Sequence, residues 1–319
     1  MENNDQKNEE KITIANAIET FLRRGVAKNL SPKTTITYEG RLGVFQSFIG
    51  HDTYVSKINL DMIDCYALYL KENGSRNDIT VYSYLRDLRT FLNYCMERGY
   101  LAKFKISLPK VDKKIKETYT DEELAVLLTK PDVDYLSRGS EYKIWVFTNF
   151  LLATGSRISS ALDVRVEDLN FSSGLIQMNK TKSRKSQIIP MSSALAEVLQ
   201  KYLASRQCDA GEYLFSNKSG GKADIRTYQG MLARYNRNRG IAKTSAHLYR
   251  HTFAKKWILN GGDMFRLQKI LGHSDLSMVR NYVEMFGNEI AIDFNKFNPL
   301  DNILSNKTKQ NSKEDLSDD

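Results

Sequence analysis

Apolar residues recur at helical spacing through the first third of the chain. Tyr38, Leu42, Phe45 and Ile49 are spaced four, three and four apart, and Val81, Leu85, Leu88, Leu92 and Cys95 form a second stripe. Ser31-Pro32 precedes the first stripe as N-cap and first helical residue: the serine oxygen accepts a free backbone N–H, and proline has none to leave unpaired. Gly99 marks the end of the second stripe. With Ile14–Leu22 and Met62–Leu70, the pattern predicts a four-helix domain over residues 11–104. Arg86 and Arg89 lie off the second stripe, on a face that either meets phosphates or is simply solvated.

A second domain is predicted over residues 119–304. It opens at Thr120-Asp121-Glu122-Glu123, a capping signal with carboxylates in the first turn, followed by Leu124, Leu127 and Leu128. The pattern stays helical except for three β-type runs, Val164–Leu169, Leu175–Met178 and Gln187–Ile189. Ser172-Ser173-Gly174 and the basic turn Lys180–Ser186 separate them. The predicted fold is therefore mainly α, a four-helix domain followed by a mostly helical domain with a small three-stranded antiparallel sheet. Residues 105–118, with Pro109 and Lys110, Lys113, Lys114 and Lys116, read as a basic linker. Residues 1–10 and 305–319 are polar, without apolar period, and read as disordered tails.

Charge narrows the partner class. The net charge is +9 although both ends are acidic, so the body between them is more basic still, as suits a polyanion such as nucleic acid. No apolar run approaches the ~20 residues of a membrane span, and the N-terminus is polar, so a soluble cytoplasmic protein is expected. Cys65, Cys95 and Cys208 are scattered, with neither a disulfide framework nor a CxxC knuckle.

Four segments of the second domain carry candidate chemistry. In Ala153-Thr154-Gly155-Ser156-Arg157-Ile158-Ser159, an apolar helix stops at Gly155 and another begins with Arg157 in its first turn, beside free N–H groups. Lys180-Thr181-Lys182-Ser183-Arg184-Lys185 is a basic hairpin tip. In His247-Leu248-Tyr249-Arg250-His251, behind the cap Thr244-Ser245, His247 and Arg250 share a helix face. His247 and His251 also have the spacing of a zinc pair, but Leu248 stands where a metalloprotease helix needs glutamate, and no metal is expected. Leu271-Gly272-His273-Ser274-Asp275 combines a tight turn with a helix cap, and Tyr282 follows nine positions after His273. Taken singly, each segment also has a plain structural reading: a surface arginine, a soluble loop, a packed tyrosine.

In this order the segments resemble the active-site boxes of the tyrosine recombinase (phage integrase) family. TGSRIS is similar to its TG-x-R box, HLYRHTFA to its H-x-x-R-H box, and LGHSDLSMVRNY to its LGH box with the tyrosine at the usual distance. Residues 11–104 resemble the family's N-terminal SAM-like core-binding domain, so the likeness spans nearly the whole chain. It implies a site-specific recombinase acting on double-stranded DNA, without metal, cofactor or ATP. Tyr282 would be the nucleophile, Arg157 and Arg250 the phosphate clamp, His247 the proton acceptor, Lys182 the general acid, and His273 a transition-state hydrogen-bond donor. Lys185 is the alternative to Lys182.

The resemblance further implies a monomer in solution that becomes a homo-tetramer on DNA, with accessory proteins setting direction. Apolar Ile290, Ile292, Phe294 and Phe297 would pack on a neighbouring subunit or on their own domain. Integration and excision of a mobile element is the expected task, with chromosome-dimer resolution as the alternative. A type IB topoisomerase and a DNA-binding protein of this fold without catalysis are competing readings. One departure is visible: Ser160 stands where the family usually has the aspartate or glutamate that buttresses the site.

Overall fold

The computed structural model describes residues 12–72, 76–111, 117–132, 135–178, 186–206 and 208–272. The chain divides into two compact units at Lys114 and Ile115. No helix among the described residues is long and apolar enough to cross a membrane.

The first unit is built from α1 (Ile14–Ala27), α2 (Pro32–Ile49), α3 (Leu60–Glu72) and α4 (Asp78–Glu97). The Ser31 hydroxyl caps α2 by accepting from the Thr34 N–H (3.2 Å), with Pro32 at the first position as its fixed φ favours. Every residue of the second stripe, Val81 to Cys95, is buried, joined by Phe91 of the same helix and by Phe45 and Tyr66 from the facing helices. α4 is the hub, packing against α1, α2 and α3. A buried carboxylate stiffens its outer side: Asp87 accepts from Arg41 (2.5 Å) and from both Nε and Nη2 of Arg86 (3.0 and 2.9 Å). Arg86 is thus half-exposed but held in one orientation.

The second unit contains α5 (Asp121–Leu128), α6 (Tyr135–Thr154), α7 (Ile158–Ala161), α8 (Ser193–Arg206), α9 (Ile225–Asn238), α10 (Ala246–Leu259) and α11 (Met264–Leu271). Its strands are β1 (Leu169–Asn170), β2 (Leu175–Met178) and β3 (Gln187–Pro190). α5 starts with the expected reciprocal cap: Thr120 Oγ1 accepts from the Glu123 N–H, and the Glu123 carboxylate accepts from the Thr120 N–H. α6 is the central helix, with α5, α8, α9 and α10 packed around it. The core is rich in aromatics, Phe147, Phe150, Phe215, Tyr202 and Tyr249 being fully buried.

The sheet is antiparallel in the order β1-β2-β3, with Ile176 opposite Leu169 and Ile189, and Met178 opposite Gln187. Ile176, Met178 and Ile189 turn inward while Leu175 and Ile188 face out, the period of two that a half-buried sheet imposes. The first β-type run is largely not strand. Val166–Asp168 forms a 3-10 turn, and only Leu169 and Asn170 pair with β2. Its backbone groups are already engaged elsewhere: Val166 and Glu167 N–H donate to the carbonyls of Glu212 and Ala210, and the Val164 carbonyl accepts from Leu214 N–H. Asp168 closes the turn by accepting from the Arg165 N–H (2.8 Å).

Candidate active site

The α6–α7 junction is shaped by Gly155. Its φ of +58° lies in the left-handed region that glycine reaches without strain. A Cβ there would stand 2.5 Å from Phe253 Cδ1 and 2.9 Å from Leu271 Cδ2, so any side chain would overpack against residues of α10 and α11. Beside it, the buried Thr154 hydroxyl donates to the Phe150 carbonyl (2.7 Å) and accepts from the Ser156 N–H (3.3 Å), turning the chain sharply at the helix end. Arg157 is the N-cap of α7, with extended backbone and no side-chain capping bond, rather than a first-turn residue as its sequence suggests. α7 is only four residues long, too short for the anion site expected of a helix N-terminus.

α10 begins at Ser245, whose hydroxyl accepts from the His247 N–H (3.3 Å). One turn on, Arg250 is 5% exposed. Its Nη1 donates to the Gly155 carbonyl (2.9 Å) and its Nη2 to the Leu271 carbonyl (2.7 Å). A guanidinium fork thus ties the α6–α7 junction to the C-terminal end of α11, where the helix dipole favours a cation. Arg157 and Arg250 line one small cleft together with Ser156, Ser160, Gln187 and Leu271. Two permanent cations lining one small cleft favour an anion there.

His247 lies on the exposed side of α10 and is not among the residues lining that cleft. Its ring stacks on that of His251, with centroids 6.3 Å apart and planes 26° apart. Among the described residues, no group of three or more His, Cys, Asp or Glu is placed to hold a metal ion. Lys182, Lys185, His273 and Tyr282 lie outside the described residues, as do Ile290, Ile292, Phe294 and Phe297. Gly272, the last described residue before His273, is the left-handed C-cap of α11 (φ +61°).

α10 is held from behind by contacts that sequence reasoning missed. Tyr249 packs on Tyr119 and donates to Asn236 Oδ1 (3.2 Å), while Asn236 Nδ2 donates to the Tyr119 hydroxyl (2.9 Å) and the Lys243 carbonyl (2.7 Å). Thr252 Oγ1 accepts from the Tyr119 N–H (2.9 Å), and Lys243 Nζ reaches the Thr118 carbonyl (3.0 Å) and Glu123 (2.8 Å). Burial pushes the phenols of Tyr119 and Tyr249 above the ordinary tyrosine value, which keeps them neutral donors and structural. Burial alone would raise the Glu123 carboxyl, but the Lys243 ammonium and the Thr120 N–H outweigh it and hold it below the usual value. In sequence, this network showed only in the Thr120–Glu123 cap and in the tyrosine inside HLYR, about 100° around the helix from the arginine.

Residues 120–289 match the phage integrase family, and residues 13–115 match the phage integrase SAM-like domain. The chain belongs to the phage integrase family. Tyrosine recombinase XerD of Staphylococcus aureus is 28% identical over 295 residues, which cover 88% of this chain and 98% of that protein. Tyrosine recombinase XerD of Staphylococcus haemolyticus is 26% identical over 288 residues, covering 86% and 95%. The Tn1549 transposon integrase, solved in complex with a circular intermediate DNA, superposes with a TM-score of 0.72 at 20% identity, covering 85% of this chain and 95% of that one. A lambda integrase dimer bound to a core site gives a TM-score of 0.66 at 15% identity, covering 85% and 95%. At these identities the solved structures establish a shared fold. Against that family background, this recombinase has Ser160, 8% exposed, lining the cleft where a carboxylate is usual.

Proposed function

We propose that the chain is a site-specific recombinase that breaks and rejoins double-stranded DNA through a 3′-phosphotyrosyl bond at Tyr282. The observation that carries this reading is that Arg157 and Arg250, ninety-three positions apart in the chain, line one cleft. Arginine suits a transferring phosphoryl group because its charge is permanent and its donors form a fixed fork. A phenol ionises near pH 10, so forming phenolate at neutral pH costs about 4 kcal/mol. Positive charge around the phosphate and a proton acceptor, assigned to His247, offset that cost.

Attack by the Tyr282 oxygen forms a phosphotyrosine and breaks the bond to the 5′ oxygen, which takes a proton from Lys182, or from Lys185 if the hairpin places that lysine inward. His273 donates to the phosphate. The new bond remains a phosphoester, so reversal by a 5′ hydroxyl rejoins the strand without ATP or metal. Phosphate contacts along the basic body would dominate affinity and make it steeply salt-dependent. Two strand exchanges on two duplexes require four active subunits, assembled on DNA from monomers.

A nicked DNA duplex that traps the covalent intermediate tests the chemistry. Wild type should form an adduct and Tyr282→Phe should bind equally well yet form none; an adduct surviving in that variant removes Tyr282 from its role. Integration and excision of a mobile element is the task we propose. Chromosome-dimer resolution is the second reading. Sequencing DNA recovered covalently attached in the host separates them: paired ends of one element support the first, a single chromosomal locus the second.

A further inference from the structure

The last turn of a helix leaves four carbonyls without intrahelical donors. In α11 those of Gln268 and Lys269 accept from the Gly272 N–H, and that of Leu271 accepts from Arg250 Nη2. The carbonyl of Ile270, and again that of Lys269, accept from Nε2 of Gln187, the first residue of β3, eighty-two positions earlier in the chain. The oxygen of the same amide lies close to Gly272: a Cβ there would stand 2.7 Å from Gln187 Oε1. Gln187 also lines the cleft shared by Arg157 and Arg250.

We propose that Gln187 is a positioning residue for the strand-cleavage site, acting through the last turn of α11 on the orientation of Arg250. The inference rests on the phosphate-clamp reading of Arg250. The turn is gripped at two successive points. Gln187 holds the carbonyls of residues 269 and 270, and the next carbonyl, of Leu271, is the one that fixes one arm of the Arg250 guanidinium. If the turn shifts, the Leu271 carbonyl shifts with it, and the Arg250 fork loses one of the two carbonyl anchors that set its plane. The same turn leads directly into His273. Gln187 has the required polarity at both ends, a donor toward two acceptors and a neutral oxygen beside Gly272. Glutamate has the same size and the wrong sign, since it sets an acceptor against acceptors.

The test uses full-length Gln187→Glu in three measurements. First, the side-chain NMR signals of Arg250, identified by their absence from Arg250→Lys, should be sharp and exchange-protected in wild type and broadened or lost in Gln187→Glu. Unchanged signals overturn the proposal whether or not the protein cleaves DNA. Second, the single-turnover cleavage rate should fall by roughly 10- to 100-fold, the penalty typical of a small misplacement at a reacting centre. That loss should persist with a bridging 5′-thiol substrate, whose leaving group needs no proton; rescue by the thiol would place the effect on the hairpin lysine and overturn the assignment. Third, Gln187→Glu should add little to the defect of Arg250→Lys, whereas independent, multiplicative losses refute coupling between the two residues. A wild-type adduct with Gln187→Glu at full rate sinks this inference alone, while a wild type without adduct sinks the recombinase reading and leaves the NMR measurement to decide Gln187.

Discussion

Arg250 ties two backbone segments together in this structure and is proposed as one arm of the phosphate clamp, and the two roles predict separable losses. Arg250→Ala removes two charge-assisted hydrogen bonds, of 2.9 and 2.7 Å, made by a side chain that is 5% exposed. Bonds to charged groups contribute about 1.5–3 kcal/mol each, and truncation leaves the Gly155 and Leu271 carbonyls to find other donors, so a destabilisation of roughly 3–5 kcal/mol is expected. For a domain of this size each kcal/mol moves the midpoint by about 2–4 °C, which gives a fall of roughly 6–20 °C in thermal unfolding. Arg250→Lys keeps the charge but cannot span both carbonyls, and should lose about half as much stability. Catalysis per folded molecule should fall as a separate loss: removing a charge aimed at the transition state costs about 10²–10³-fold in rate. Single-turnover cleavage of nicked DNA, run well below the variant's midpoint and normalised to folded protein, isolates that part. An unchanged unfolding midpoint in Arg250→Ala would falsify the structural role, and a wild-type rate per folded molecule would remove Arg250 from the phosphate clamp.

Other perturbations have equally definite outcomes. Gly155→Ala should destabilise the second domain by roughly 2–5 kcal/mol, combining the cost of left-handed backbone with overpacking against Phe253 and Leu271; calorimetry showing less than ~1 kcal/mol would mean the junction relaxes freely. The depressed Glu123 carboxyl adds stability that is whole above its ordinary 4.5 and is lost as pH falls through the lower folded value. The unfolding midpoint of Glu123→Gln should therefore be less acid-sensitive than that of wild type below about pH 4.5, and parallel curves would rule out the ion pair with Lys243 as the source. Burial pushes the Cys95 thiol up to about 12, whereas Cys65 is exposed. Iodoacetamide should modify Cys65 promptly and Cys95 only as the first domain unfolds, as mass spectrometry over a time course would show.

Local signals were legible where one residue's neighbours in sequence are also its neighbours in space. The stripe from Val81 to Cys95 became the buried face of α4, and Thr120 with Glu123 formed a reciprocal cap. Helix period and cap chemistry operate within four residues, so no tertiary information is needed to read them. The strand expected at Val164–Leu169 is the instructive miss. Its β-branched pattern is real, but the backbone groups it would offer a strand partner are engaged by residues 210–214, which nothing near residue 164 announces. Arg86 is similar: a helix-face arginine by pattern, it is clamped by Asp87 together with Arg41 from another helix.

By itself the sequence determined that two mainly helical domains would form, and which boxes carry arginine, histidine and glycine suited to phosphate chemistry. The tertiary structure decided how Arg250 is aimed, that Arg157 shares its cleft, and that a glutamine on β3 completes the last turn of α11. The division has a physical cause. Periodicity and capping follow from bonded geometry over one or two turns, whereas the partners of a buried guanidinium or amide are chosen by whichever carbonyls the packed helices leave unpaired.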